Sequence, residues 1–221
     1  MPGRAHSTIL AAMDVFLASV LIGYVCGSIP TAVWVTRRVG GFDIRKRGSG
    51  NAGATNVARV VGVHWGILVG VIDILKGFLP VLLLSGAAGA GFGISAANAG
   101  LLIGIAAILG HMFPLFAGFK GGKGVLTALG VFGALLPLEA GLGALVWVIV
   151  FATTRIVSLG SIVACLAFVA AVLSRRYLFD APHPTTVVVA VLLVTALVIY
   201  MHRSNIVRLL RGEEKKFGAP R

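Results

Sequence analysis

The chain has 221 residues, 58% hydrophobic and only 12% charged, with a formal net charge of +12 and a mean hydropathy of +1.00. A soluble domain carries about twice that share of charge, so the composition excludes an ordinary soluble enzyme. A basic chain often signals nucleic acid. Here the charges fall at the ends of apolar runs, where they act as membrane topology signals instead, and no nucleic-acid partner is expected.

Seven apolar segments follow one another, at about 9–36, 63–85, 94–113, 123–136, 138–154, 156–174 and 185–201. Crossing a hydrocarbon core takes about 20 residues per helix. The expectation is an all-α integral membrane protein, one polytopic domain over 1–221 with seven transmembrane helices. The first run lacks an obvious cleavage site and reads as a retained span. The fourth and fifth are short and meet at Pro137, as a tight hairpin or one irregular unit. Cys26 and Cys165 lie inside apolar runs and suggest neither a disulfide framework nor a metal site.

Arg37, Arg38, Arg45, Lys46, Arg47 and Arg59 fall in the loop 37–62, and Arg203, Arg208, Arg211, Lys215, Lys216 and Arg221 in the tail. Lys120, Lys123 and Arg155 belong to the same side by alternation, against only Arg4, Arg175 and Arg176 on the other. The positive-inside rule therefore puts the N-terminus outside and the C-terminus in the cytoplasm.

The first cytoplasmic loop holds Ser49, Asn51, Thr55 and Asn56 among small residues, with Arg59 just beyond. Gly/Ser/Asn stretches are ordinarily flexible connectors, yet so many hydrogen-bonding groups beside an arginine also suit an anion. Asp73 and Lys76, at i, i+3 inside the second segment, read as a structural pair turned toward the bundle interior. The third segment ends at Gly110-His111, Pro114 stops it, and Lys120-Gly121-Gly122-Lys123-Gly124 leads into the fourth. Backbone N–H groups and a lysine at a helix N-terminus make a simple anion site. The loop is not a Walker motif, because Ala117 and Gly124 stand where glycine and a hydroxyl residue belong.

Arg155, Ser158 and Ser161 open the sixth segment. Serines there ordinarily bond back to their own helix or join helices, but the neighbouring arginine favours a site. The last segment leaves the membrane at His202-Arg203-Ser204-Asn205, and Ile206, Leu209 and Leu210 suggest an amphipathic surface helix. By this topology the second, fourth and sixth segments all begin on the cytoplasmic side, with positive dipole ends and unpaired N–H groups. One cytoplasm-facing pocket is expected, rich in cations, nearly lacking carboxylates, and sized for a phosphate or two with apolar walls for an acyl chain.

At these residues the chain resembles the bacterial acyl-phosphate:glycerol-3-phosphate acyltransferases, the PlsY family, from Gly27-Ser28-Ile29-Pro30 to the tail. The likeness is most specific at Ser49-Gly50-Asn51 with Gly53-Ala54-Thr55-Asn56, at Gly110-His111 with Pro114 and Gly121-Gly122-Lys123-Gly124, and at His202-Arg203 with Asn205. The resemblance implies seven spans in a bacterial cell membrane with the N-terminus outside. It implies transfer of an acyl group from a fatty acyl phosphate to the 1-hydroxyl of glycerol 3-phosphate, giving lysophosphatidate and inorganic phosphate, the first step of phospholipid synthesis. No cofactor or metal is implied; the partners are the two substrates, the bilayer and, functionally, the enzyme that makes the acyl phosphate.

Carried over by motif, Ser49, Arg59, Lys123, Ser161, His202 and Asn205 are the expected catalytic set. Arg59 and Lys123 would meet phosphate charge, and Gly121, Gly122 and Gly124 would donate backbone N–H groups to glycerol 3-phosphate. Ser49, Ser161 and Asn205 would orient the reacting groups, and either His202 or a substrate phosphate oxygen would take the proton. Asn51, Thr55, Asn56, Lys120, Arg155 and Ser158 join as substrate-binding residues, and His111 as a shaping one. An acyl phosphate is a mixed anhydride with a good leaving group, so such an enzyme mainly positions two anions and stabilises developing charge.

Three further readings bear on the choice. No His-x4-Asp pair is present, since Ala11, Val69, Phe116, Val188 and Val207 follow the five histidines at that spacing; this favours an acyl phosphate over a thioester donor. An anion transporter would want internal repeats and midplane breaks, and the polar motifs lie at one face instead. A metal-dependent phosphoryl or alcohol-phosphate transferase would want carboxylate ligands, and there are seven acidic residues in all.

Overall fold

The computed structural model describes residues 2–179 and 183–218, with side chains from residue 13 onward. Arg221, the side chain of Arg4 and residues 180–182, between the sixth and seventh predicted segments, lie outside the described residues. The chain divides into two compact units, Met1–Leu135 and Leu136–Arg221, each treated by itself.

The first unit holds α1 (Pro2–Gly27), α2 (Thr31–Gly40), α3 (Ala54–Val60), α4 (Val63–Phe92), α5 (Ala96–Met112) and α6 (Val125–Leu135). The predicted first segment runs through Pro30, but the helix breaks there. Proline has no N–H to continue the ladder, and the Pro30 carbonyl instead starts α2 by accepting from the Val33 and Trp34 amides at 2.9 and 3.0 Å. The loop 37–62 contains α3, a short helix the hydrophobic pattern did not announce. α4 runs past the predicted end at 85 and stops at Gly93, whose φ of 71° forms a left-handed cap.

α1, α4 and α5 pack on one another, and α6 packs on α4 and α5. Backbones meet closely because glycine stands at the crossings. Gly23 and Gly27 of α1 face the Ile103 and Ala107 carbonyls of α5, and Gly130 of α6 lies against the Ile74 carbonyl of α4. Membrane helices have no water to expel between them and use such small-residue contacts to approach.

The second unit holds α7 (Pro137–Thr154), α8 (Val157–Tyr177), α9 (Thr185–Met201) and α10 (Arg203–Leu210). Pro137 begins α7, where its missing N–H costs nothing. α8 packs on both α7 and α9, and α9 turns into α10 through a 60° bend at His202. Glu139, 2% exposed, is held by His183 Nε2 at 2.7 Å and Arg175 Nη1 at 3.2 Å.

Among the described residues, five helical stretches are long and apolar enough to cross a bilayer, and α9 with α10 makes a sixth if a bent pair is one span. α6, at 11 residues, is about 16 Å long, short of a hydrocarbon core of about 30 Å. The seven predicted apolar segments each contain a helix, but full crossings by length number five or six. Leu82, Leu83, Leu145 and Leu193 are among many exposed apolar side chains, the surface lipid requires.

Candidate active site

In the first unit the Ser49 loop is built around two side chains. Asp43 receives the Arg45 backbone N–H at 3.0 Å, Arg45 Nε at 3.0 Å and Nη2 at 2.7 Å, and Arg37 Nη2 at 3.2 Å. The Arg45 hydrogen bonds outweigh burial and hold the Asp43 carboxyl well below the ordinary carboxylate range. Arg45 Nη1 also donates to the Ala117 carbonyl at 2.6 Å, so this arginine, read from sequence only as a topology charge, ties the first loop to the segment leading into the glycine loop.

The second organiser is Asn56, 1% exposed. Its Oδ1 accepts the Ser49 N–H at 2.9 Å, and its Nδ2 donates to the Arg47 and Asn51 carbonyls at 3.0 Å each. With the amide spent on backbone, Asn56 shapes the loop, which differs from its predicted place among residues touching substrate. Gly48 and Gly50, at φ 61° and 74°, provide the turns on either side of Ser49, which is exposed, while Asn51, Thr55 and Arg59 are half-buried.

The glycine loop folds back on the end of α5. Gly121 N–H donates to the Met112 carbonyl at 3.1 Å and Gly122 N–H to the His111 carbonyl at 3.2 Å. A Cβ on Gly121 would overlap the His111 carbonyl oxygen, and one on Gly122 would run into His111 Nε2. The expected backbone donation to phosphate by Gly121 and Gly122 is therefore corrected: both donors are occupied, and glycine is required there for close approach. Gly124, at φ 83°, and the first turn of α6 remain, where helical N–H groups have no partner in their own helix. Lys123 is half-buried beside them and Lys120 is exposed.

Behind this loop a small cleft is lined by Ala52, Asp73, Lys76, His111 and Gly122 among others. Lys76 Nζ lies 2.8 Å from Asp73 Oδ1 and donates to the Ile29 carbonyl at 3.0 Å, and His111 Nδ1 is 3.7 Å from the same Asp73 oxygen. The predicted structural pair is thus part of a three-residue cluster.

In the second unit, Arg155 sits exposed at φ 59° after α7, its carbonyl accepting the Phe217 N–H at 2.7 Å. The Ser158 hydroxyl and Asn205 Nδ2 both donate to Glu214 Oε1, at 2.7 and 2.6 Å, and Arg208 Nε donates to Oε2 at 2.6 Å. Burial pushes the Glu214 carboxyl up, but the three donors win and hold it below its ordinary value. A buried carboxylate therefore stands among the predicted site residues of this unit, where nearly none was expected. Sequence reasoning missed it because a glutamate beside Lys215 and Lys216 in a charged tail reads as solvated.

Ser161 donates back to the Val157 carbonyl at 2.9 Å. His202, 3% exposed, pairs through Nδ1 with the Val198 carbonyl at 2.8 Å. A carbonyl only accepts, so Nδ1 carries the proton and Nε2 is the basic nitrogen of the neutral ring.

Helices of this length and apolar surface, with charged loops at their ends, define an integral, multi-pass membrane protein. Residues 17–212 match the glycerol-3-phosphate acyltransferase family, and the chain belongs to that family. It is similar to the glycerol-3-phosphate acyltransferase of Aquifex aeolicus, at 46% identity over 198 residues covering 90% of this chain and 97% of the relative. The corresponding Trichlorobacter lovleyi protein is 48% identical over 197 residues, covering 89% and 94%. A crystal structure of PlsY (YgiH), an integral membrane glycerol 3-phosphate acyltransferase in its glycerol 3-phosphate form, superposes with a TM-score of 0.77 at 42% identity, covering 92% of this chain and 96% of that one. Its lysophosphatidic acid form gives 0.76 at 42% identity, covering 92% and 95%.

Proposed function

We propose that this protein transfers a fatty acyl group from an acyl phosphate to the 1-hydroxyl of glycerol 3-phosphate at the cytoplasmic face of a bacterial membrane, with its N-terminus outside. The observation that carries the reading is the placement of Lys123 and Gly124 directly before α6. A cation and unpaired helical N–H groups coincide there, the environment an oxyanion seeks. Support comes from the glycerol 3-phosphate and lysophosphatidic acid forms of the similar PlsY structure.

In the reaction the 1-hydroxyl oxygen bonds to the acyl carbonyl carbon, the bond from that carbon to the phosphate oxygen breaks, and inorganic phosphate leaves. Arg59 and Lys123 meet phosphate charge, with Gly124 and the α6 first turn supplying backbone donors. Ser49, on its tight turn, hydrogen-bonds a reacting group, as do Ser161 and Asn205 in the second unit. The hydroxyl proton goes to His202 Nε2 or to a substrate phosphate oxygen. Asn51, Thr55, Lys120, Arg155 and Ser158 contribute to substrate binding, and the enzyme that makes the acyl phosphate is the functional partner.

The test is product formation by purified protein given labelled glycerol 3-phosphate and palmitoyl phosphate without coenzyme A or metal, beside palmitoyl-coenzyme A and the Lys123→Ala variant. Lysophosphatidate from the acyl phosphate, lost in the variant, is the expected result. Product from the thioester alone overturns the donor, and no product from either overturns the reading.

A further inference from the structure

A charge pair inside a membrane helix is costly, and apolar residues of similar volume often replace a buried ion pair with no loss of stability. The Asp73 and Lys76 side chains are 3% and 4% exposed, so packing alone does not account for them. What they touch does. Lys76 reaches the Ile29 carbonyl in the break between α1 and α2, and Asp73 faces both Lys76 and the His111 ring. His111 then holds the glycine loop twice, its carbonyl accepting the Gly122 N–H and its Nε2 filling the space a Gly122 side chain would take. The Ala52 carbonyl of the Ser49 loop also lies 3.1 Å from that same Cβ position. One path of contacts runs from Ile29 through Lys76, Asp73 and His111 to Gly122, next in sequence to Lys123.

Two consecutive glycines have no side chains of their own with which to resist rotation, so the loop takes its rigidity from the wall it rests on. We propose that Asp73, Lys76 and His111 form a buried brace that fixes the backbone at 121–123, making them positioning residues for Lys123 in acyl transfer. The link to acyl transfer rests on the function proposed above; the brace itself does not. A misplacement of about 1 Å at a reacting centre costs about a hundredfold in rate, which is what loss of the brace puts at stake.

The experiment compares the parent with an Asp73→Leu/Lys76→Met double variant, which removes both charges together, and with His111→Gln. Three quantities are read in detergent: amide hydrogen exchange over residues 112–128, thermal unfolding, and kcat and KM separately for lysophosphatidate formation. Exchange at 121–124 should accelerate about tenfold or more, as expected of a locally released segment, while Tm stays near the parent's. The kcat should fall about a hundredfold with little change in KM for the acyl phosphate. Unchanged exchange in both variants overturns the brace whatever the activity. Exchange that accelerates throughout α4 and α5 with a falling Tm overturns it in favour of a packing role. Faster loop exchange with parental kcat overturns the link to Lys123. A parent that makes no product while its variants release the loop supports the brace and overturns the reaction instead.

Discussion

Asn205 Nδ2 donates to Glu214 Oε1 across 2.6 Å, and the Ser158 hydroxyl reaches the same oxygen at 2.7 Å. One tail carboxylate therefore fixes two side chains from different helices. Glu214→Ala leaves both donors without their acceptor and should cost about 1–3 kcal/mol, read as a lower Tm, with kcat falling because Asn205 loses its orientation.

The same carboxyl predicts an acid limit. Its folded pKa lies below the ordinary value, so its contribution is complete above the unfolded value of about 4.3 and is lost as pH falls through the folded value beneath it. Asp43, depressed by Arg45, acts in the same direction. Tm measured from about pH 7 downward should hold steady until about pH 4 and then fall, and the fall should be shallower in Glu214→Ala.

Asn56 separates shape from charge in the Ser49 loop. Asn56→Ala removes an acceptor, and a donor shared among the Ile44, Arg47 and Asn51 carbonyls, from a buried site and should destabilise by about 2–3 kcal/mol. Asn56→Asp keeps the acceptor for the Ser49 N–H but turns a negative charge on the Arg47 and Asn51 carbonyls, and should do no better. Thermal unfolding with kcat for both variants checks this; an Asn56→Asp protein with parental values would refute the loop's dependence on that amide.

The glycine crossings can be tested against a glycine that makes none. Gly27→Ala and Gly130→Ala drive a methyl into the Ala107 and Ile74 carbonyls, while a methyl on Gly86 meets nothing within 4 Å. The first two should cost about 1–3 kcal/mol, whereas Gly86→Ala should be neutral or stabilise by up to about 1 kcal/mol through helix propensity. Unfolding in detergent distinguishes them.

Hydrophobic runs and turn residues made most of the helix plan legible: α9 occupies the predicted segment, and Pro137 separates α6 from α7 as read. The break at Pro30 was hidden because apolar residues continue on both sides of it, and α3 because seven residues with one strongly apolar face are too few for a period to show. The glycine loop was found for a reason that holds only in part. Glycine permits backbone exposure to an anion and close approach to a neighbour alike, and sequence does not distinguish the two; at Gly121 and Gly122 the structure shows approach. Asp73 and Lys76 were legible as a pair from their spacing, but His111 comes to them across a helix interface that no local pattern encodes. Glu214 was invisible for the opposite reason, since its partners lie on α8 and α10 while its neighbours in sequence are the charged Glu213 and Lys215.

The spacing of Asp73 and Lys76 also bears on biogenesis. Because the two charges sit three residues apart on one helix, α4 brings its own counter-ion into the bilayer. A lone lysine there would have to wait for a carboxylate supplied by a later segment, at a cost of about 3 kcal/mol during insertion. α4 needs no such delay: it can enter the membrane as a neutral unit before α5 has been synthesised, and the histidine joins a pair that already exists.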